Sequence, residues 1–193
     1  MNWLICDYGE VLSLAPPAED RAALEAAAGW KGTTESFWNA YWTHRPAYDR
    51  GDVTAVEYWQ SVLRRNVVGD ELVRIIHADV AGWLRPNLRS IEAVVELKER
   101  GVRLALFSNA PVEVAAGIVG APWMASFSRK FFSCDLRAVK PEPAAYKAVL
   151  EGLDVRADEV LFVDDRPVNV AGAEAVGIRA VLFESPEQLA GLI

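Results

Sequence analysis

Four stretches, far apart in the chain, place residues able to do chemistry directly after short apolar runs. WLIC is followed by Asp7, VRLALF by Ser108 and Asn109, and VLFV by Asp164 and Asp165, while Lys140 stands in AVKPEP ahead of a helical pattern. Carboxylates from two such places can hold a hard cation such as Mg²⁺ through oxygen. The cation neutralises part of a phosphate's charge, so an anionic carboxylate can approach phosphorus as a nucleophile. A lysine, a hydroxyl and backbone N–H groups then hold the remaining phosphate oxygens. This set points to phosphate chemistry.

Such chemistry needs elements that bring the four stretches together. Residues 3–7, 102–107, 131–134, 160–164 and 179–183 are apolar runs too short for helices and rich in Val, Leu, Ile and Phe, as strands buried on both faces are. Helical periodicity falls between most of them, over 87–100, 142–151 and 167–176, with Gly101, Gly152 and Gly177 as stops. Alternating strands and helices predict an α/β fold, a Rossmann-like doubly wound parallel sheet. In such a sheet, ligands bind beyond the carboxyl ends of the strands, where the acids, hydroxyl and lysine are expected. The segment 14–86 differs: it carries helical patterns, no convincing strand and Trp30, Trp38, Trp42, Trp59 and Trp83, five of the seven tryptophans. It reads as a helical insertion with its own core. The expected division is a core of 1–13 and 87–193 with a helical cap over 14–86.

A chain of 193 residues, 52% hydrophobic and 24% charged, can bury a full core. Its formal charge of −7 argues against nucleic acid as a partner. No stretch approaches the roughly 18 apolar residues of a membrane span. The start shows no basic region followed by a long apolar one, so a cytoplasmic location is expected, with Cys6 and Cys134 as reduced, buried small hydrophobes in strand-like runs.

The four stretches also carry a family likeness. CDYGEVL, LFSNA, VKPEPAAY and FVDDRPVNV, in this order, resemble the four motifs of the haloacid dehalogenase-like hydrolases, and together they span nearly the whole chain. The helical insertion is similar to that family's small cap. The resemblance implies a Mg²⁺-dependent phosphatase acting on a small phosphorylated metabolite, with Asp7 as the nucleophile that becomes phosphorylated. It implies that Ser108, Asn109 (through its backbone) and Lys140 bind the phosphoryl group. Asp165 aligns with a principal metal ligand, Asp164 supports it, and Asn169 replaces a further acid.

One partner is missing. Most phosphatases of this family carry Asp two residues after the nucleophile, where it protonates the leaving alcohol and then activates water; here that residue is Gly9. Its backbone carbonyl can still ligate the metal, but the proton shuttle is absent unless Glu10 replaces it. The Asp-x-Gly-x-Val start is similar to a branch of sugar-phosphate phosphatases, including those acting on glucose-1-phosphate. Two alternatives stay open: a phosphate- or partner-binding protein without turnover, and a 2-haloacid dehalogenase, whose usual Tyr here comes one place early as Tyr8. Ser108 and Asn109 can also cap a helix starting near Pro111. His44, Arg45, Tyr48 and Arg50 form a polar cluster in the insertion that could face the site; His77 reads as a surface residue.

Overall fold

The computed structural model describes residues 3–192; Met1, Asn2 and Ile193, which the sequence assigns to the core, lie outside the described residues. Five strands, β1 (Trp3–Cys6), β2 (Arg103–Ser108), β3 (Arg129–Phe132), β4 (Val160–Asp164) and β5 (Arg179–Leu182), form one sheet in the order β3-β2-β1-β4-β5. Every pairing is parallel. Side chains of the central strands alternate between two cores, as the period of two requires. Leu4, Cys6, Leu104, Leu106, Leu161 and Val163 enter one; Trp3, Ile5, Ala105, Phe107, Val160 and Phe162 enter the other.

The first core is closed by α5 (Leu88–Glu99), α6 (Val112–Val119) and the short α10 (Pro186–Ala190), through residues such as Val94, Leu97, Val114 and Leu189. The second is closed by α8 (Pro143–Leu153) and α9 (Pro167–Ala175), through Tyr146, Val149 and Ala173. This is the doubly wound architecture expected. The chain leaves β1 toward β2 and β3, then returns to β4 on the other side of β1. That reversal opens a crevice at the carboxyl ends of β1 and β4, where Asp7 and Asp164 lie.

Between β1 and β2 run α1 (Ala18–Ala27), α2 (Thr34–Asp49), α3 (Ala55–Leu63) and α4 (Gly69–Trp83). They bury a third core around Phe37, Tyr41, Tyr58, Trp59 and Ile75. Helix α3 begins with a capping box in which Thr54 and Glu57 satisfy each other's backbone N–H. The two ends of the segment meet: Ser13 bridges Pro86, and Leu14 N–H donates to Arg85 O at 2.8 Å. The end of α2 is fastened to the sheet side. Tyr48 Oη donates to Glu113 Oε2 at 2.7 Å, Ser133 Oγ donates to Asp49 O at 2.5 Å, and Arg50 pairs with Glu142.

Three local expectations differ from the structure. The third strand covers 129–132 rather than 131–134, because Ser133 and Cys134 already belong to a short helix, α7 (Ser133–Leu136). Strand β3 is an edge strand, so charged Arg129 and Lys130 are tolerated at its start and the apolar run does not mark it. Cys134 is therefore helical, although it is buried like Cys6; burial pushes the two thiols up to about 11 and about 12. Gly152 does not stop its helix but lies inside α8, which ends at left-handed Asp154. A Cβ at Gly152 would stand 2.5 Å from Phe131 Cε1, so close packing of α8 on β3 requires the glycine. Ser108 and Asn109 do not cap α6, whose N-cap is Pro111 without a side-chain bond.

Candidate active site

The acids of the site are placed by the ends of strands, and the lysine by a loop between α7 and α8. Asp7 follows β1, and its N–H donates to Val163 O at 2.9 Å, extending the ladder by one residue. Its Oδ1 accepts from Tyr8 N–H at 2.7 Å, which fixes the carboxylate rotamer. Asp164 ends β4 and is completely buried. Between them stands Lys140, whose Nζ lies 2.7 Å from Asp7 Oδ1 and 2.6 Å from Asp164 Oδ2. The ammonium also donates to Phe107 O at 3.1 Å. The loop that carries Lys140 is held by Asn109, whose Nδ2 donates to Lys140 O and whose Oδ1 accepts from Lys140 N–H, both at 2.9 Å. The Asn109 side chain thus positions the lysine.

Charge explains why a buried lysine is stable here. Burial alone would drive its proton off, but Asp7 and Asp164 hold its pKa above the ordinary lysine value. The carboxylates feel the opposite pressure. Burial pushes Asp7 up to about 7 despite Lys140, and burial together with Asp164 and Glu10 pushes Asp165 up to about 6. The folded state therefore binds more protons than the unfolded chain from about pH 4 to about pH 7, and its stability falls as pH rises through that window. In chelator, the urea midpoint is expected to be higher at pH 5 than at pH 8. Asp7→Asn should shrink that difference; an equal or larger difference would contradict this assignment.

Oxygens of Asp7, Asp164 and Asp165 all lie within 4.8 Å of one another, a donor set that fits a hard divalent cation. The acids divide unequally. Asp164 Oδ1 accepts from Arg166 N–H and Asn169 Nδ2, and its Oδ2 from Lys140 and Asn169, so both oxygens are already engaged. Asp165 is only half-buried. Asn169 Oδ1 is buried and has no partner, an acceptor beside the acids with capacity for a ligand. Ser108, buried at the end of β2, lines the same cavity of about 360 Å³ with Asp7, Gly9, Lys140 and Asp165.

A match to the family of haloacid dehalogenase-like hydrolases runs over residues 15–177, most of the chain. The chain belongs to this family. Its curated relatives include haloacetate dehalogenase H-2 of Moraxella sp. (strain B), 35% identical over 48% of this chain and 41% of the relative. A phosphoglycolate phosphatase of Rhodospirillum rubrum is 35% identical over 45% of this chain and 36% of its own. Sesquiterpene phosphatase astK of Aspergillus oryzae is 26% identical over 67% and 74%. The chain thus spans less than half the length of the first and the second of these relatives. A HAD family enzyme of Bacteroides thetaiotaomicron has the same fold, with a TM-score of 0.79, 19% identity and coverage of 95% of this chain and 94% of that one. The L-2-haloacid dehalogenase of Xanthobacter autotrophicus aligns at a TM-score of 0.72, with 21% identity over 98% and 81%.

In this family member, the wall opposite the strand ends comes from α2 and α4. Of the polar cluster read in the sequence, Arg45 lines the cavity, whereas Tyr48 and Arg50 fasten α2 to the sheet side. His44 does not line the cavity, and His77 is exposed. Arg45 Nε pairs with Asp49 Oδ1 at 2.6 Å, and its Nη1 reaches Asp79 Oδ2 at 3.4 Å and Tyr41 Oη. The sequence reading missed Trp42, Asp49 and Trp83 as cavity residues. Only the four-residue spacing of Arg45 and Asp49, which places them on one helical face, hinted at the pair. Glu10 has a left-handed backbone, φ 57°, and lies exposed on the cavity wall. Among the described residues, no helix is long and apolar enough to cross a membrane.

Proposed function

We propose that this chain is a Mg²⁺-dependent phosphatase that hydrolyses a small phosphorylated metabolite, with a sugar phosphate as one candidate, through a phosphoryl group carried on Asp7. The observation that carries this reading is Lys140 Nζ bridging Asp7 and Asp164 at 2.7 and 2.6 Å. An ammonium so placed compensates a carboxylate nucleophile and the phosphoryl oxygens it receives. Ser108 supplies a hydroxyl to the same oxygens, and Asn109 and Asp164 keep Lys140 in place. Asp7, Asp165 and the Gly9 carbonyl would hold Mg²⁺, with Asp164 and Asn169 behind them; bound there, the ion neutralises charge on the phosphate. A phosphate-bound magnesium form of the Bacteroides enzyme shares this fold, with a TM-score of 0.78. Residues 14–86 act as the cap over the reaction.

The phosphatase relatives support the reaction type, and the dehalogenase relatives favour a second reading. Three clustered acids suit cation-assisted phosphate chemistry better than carbon–halogen cleavage. Incubation with 2-haloacids in chelator separates the two, since halide release without metal would favour the dehalogenase.

Gly9 bears on turnover. A Cβ there meets only Trp83 Cζ3, at 3.9 Å, an ordinary contact. If the missing acid limits the wild type, Gly9→Asp should raise kcat on an alkyl phosphate by about 10²-fold, the lower end of the usual contribution of acid–base catalysis. A wild type silent across a broad ester panel, made active by Gly9→Asp, would instead favour a phosphate-binding protein.

A further inference from the structure

A second cavity, of about 170 Å³, adjoins the first between α1, α2 and α4. The two share Glu10, Trp42 and Trp83 as a common wall. The remaining surface of the second is largely apolar, from Pro16, Leu24, Trp38 and Ala78. Its aromatic side is built as a lattice. Trp42 meets Trp83 edge-on at 6.1 Å and Tyr41 edge-on at 4.9 Å, and Trp38 packs on Tyr41 at 5.0 Å. Trp83 is further pinned, because its Nε1 donates to Tyr41 Oη at 3.1 Å and its carbonyl accepts from Tyr8 Oη at 3.0 Å. Trp42 nevertheless remains half exposed, at 51%.

We propose that this second cavity is a subsite for an apolar, ring-sized portion of the substrate's leaving group, with Trp42 and Trp83 guiding it from the phosphoryl site. The inference rests on the phosphatase reading and narrows its ester, from the sugar phosphate named as a candidate to a phosphomonoester of an apolar or aromatic alcohol. Charge restricts the class further. The second cavity offers no uncommitted cation to an anion: Asp79 and Asp20 are already paired with Arg45 and Arg85, Glu10 adds a further acid, and Arg21 stacks on Trp38 at 4.6 Å. A second anionic group on the leaving alcohol is therefore disfavoured, whereas aromatic faces suit an apolar one.

Gly82 provides the test, since it lines the second cavity but not the first. It lies within α4, and a Cβ there finds Pro16 Cβ at 3.5 Å, an ordinary contact. Gly82→Leu fills the cavity from a helical position that favours a side chain over glycine. Phenethyl phosphate and ethyl phosphate, which differ in the ring but little in leaving-group basicity, are compared with Mg²⁺. The expected kcat/KM ratio is about 10-fold or more in favour of phenethyl, falling toward unity in Gly82→Leu and part-way in Gly82→Ala. A wild-type ratio near unity, or one that Gly82→Leu leaves unchanged, overturns the subsite. The same two esters are titrated calorimetrically against Asp7→Asn protein, so that preference is also read without turnover. A binding preference that disappears on filling the cavity, with neither ester hydrolysed by the wild type, upholds the subsite and refutes the phosphatase reading. Equal hydrolysis of both esters does the reverse.

Discussion

Asp7→Asn is expected to lower turnover of p-nitrophenyl phosphate by roughly 10⁴-fold or more, the scale on which enzymes lose rate with their nucleophile. The substitution changes little else. An amide oxygen at this place still accepts from Tyr8 N–H and from Lys140 Nζ, the two donors that fix Asp7 Oδ1. The neighbouring acids, Asp164 and Asp165, also remain. What disappears is the anionic oxygen able to attack phosphorus. Circular dichroism and the thermal midpoint should show a folded protein, so the loss is chemical. A variant retaining a tenth of the wild-type rate would remove Asp7 from its role.

Lys140→Met should fail differently, by losing both activity and stability. Methionine fills a similar volume among Phe107 and Phe162, whose rings lie 5.2 and 5.3 Å from the ammonium. The charge is not replaced. Asp164 is fully buried and Asp7 nearly so, and both lose a partner closer than 3 Å. Breaking a buried pair by removing one partner typically costs about 3–5 kcal/mol. For a chain of this length that corresponds to a fall in Tm of roughly 6–20 °C. Differential scanning calorimetry in chelator reads it directly. A midpoint unchanged within about 2 °C would mean that the ammonium is not what compensates the two acids.

The sheet and the clustering of the acids were legible in the sequence for a common reason. A strand buried on both faces must be apolar throughout, so a charged residue directly after it marks the strand's end, and in a parallel sheet those ends share one edge. Asp7 and Asp164 stand out in this way. Lys140 was recognisable by its flanking prolines and by the helical pattern of α8. Edge strand β3 was displaced by two residues because an edge tolerates Arg129 and Lys130 where a central strand would not. Gly152 looked like a helix stop, since sequence does not show that Phe131 approaches the α8 backbone.

The opposite wall was much less legible. Trp42, Asp49 and Trp83 lie on helices whose rotation is set by packing in the third core and, for α4, also against the first. Helical periodicity separates a buried face from an exposed one, but a cavity wall is neither. Trp42 is half exposed on a helix whose neighbouring Tyr41 is fully buried. Only the family resemblance separated the two adjacent acids, with Asp165 as the principal ligand and Asp164 as its support. Residue type and position alone present them as equivalent, whereas hydrogen bonds engage both oxygens of Asp164, and Asp165 lies half-buried beside the cavity.

The most direct measurement is to catch the phosphoryl group on residue 7. The wild-type protein is mixed with p-nitrophenyl phosphate and Mg²⁺, quenched in acid during turnover and reduced with borohydride, which converts an acyl phosphate of aspartate to homoserine. Peptide mass spectrometry should then find homoserine at position 7, and only when ester is present. Phosphate release with Asp7 recovered unmodified would contradict the account.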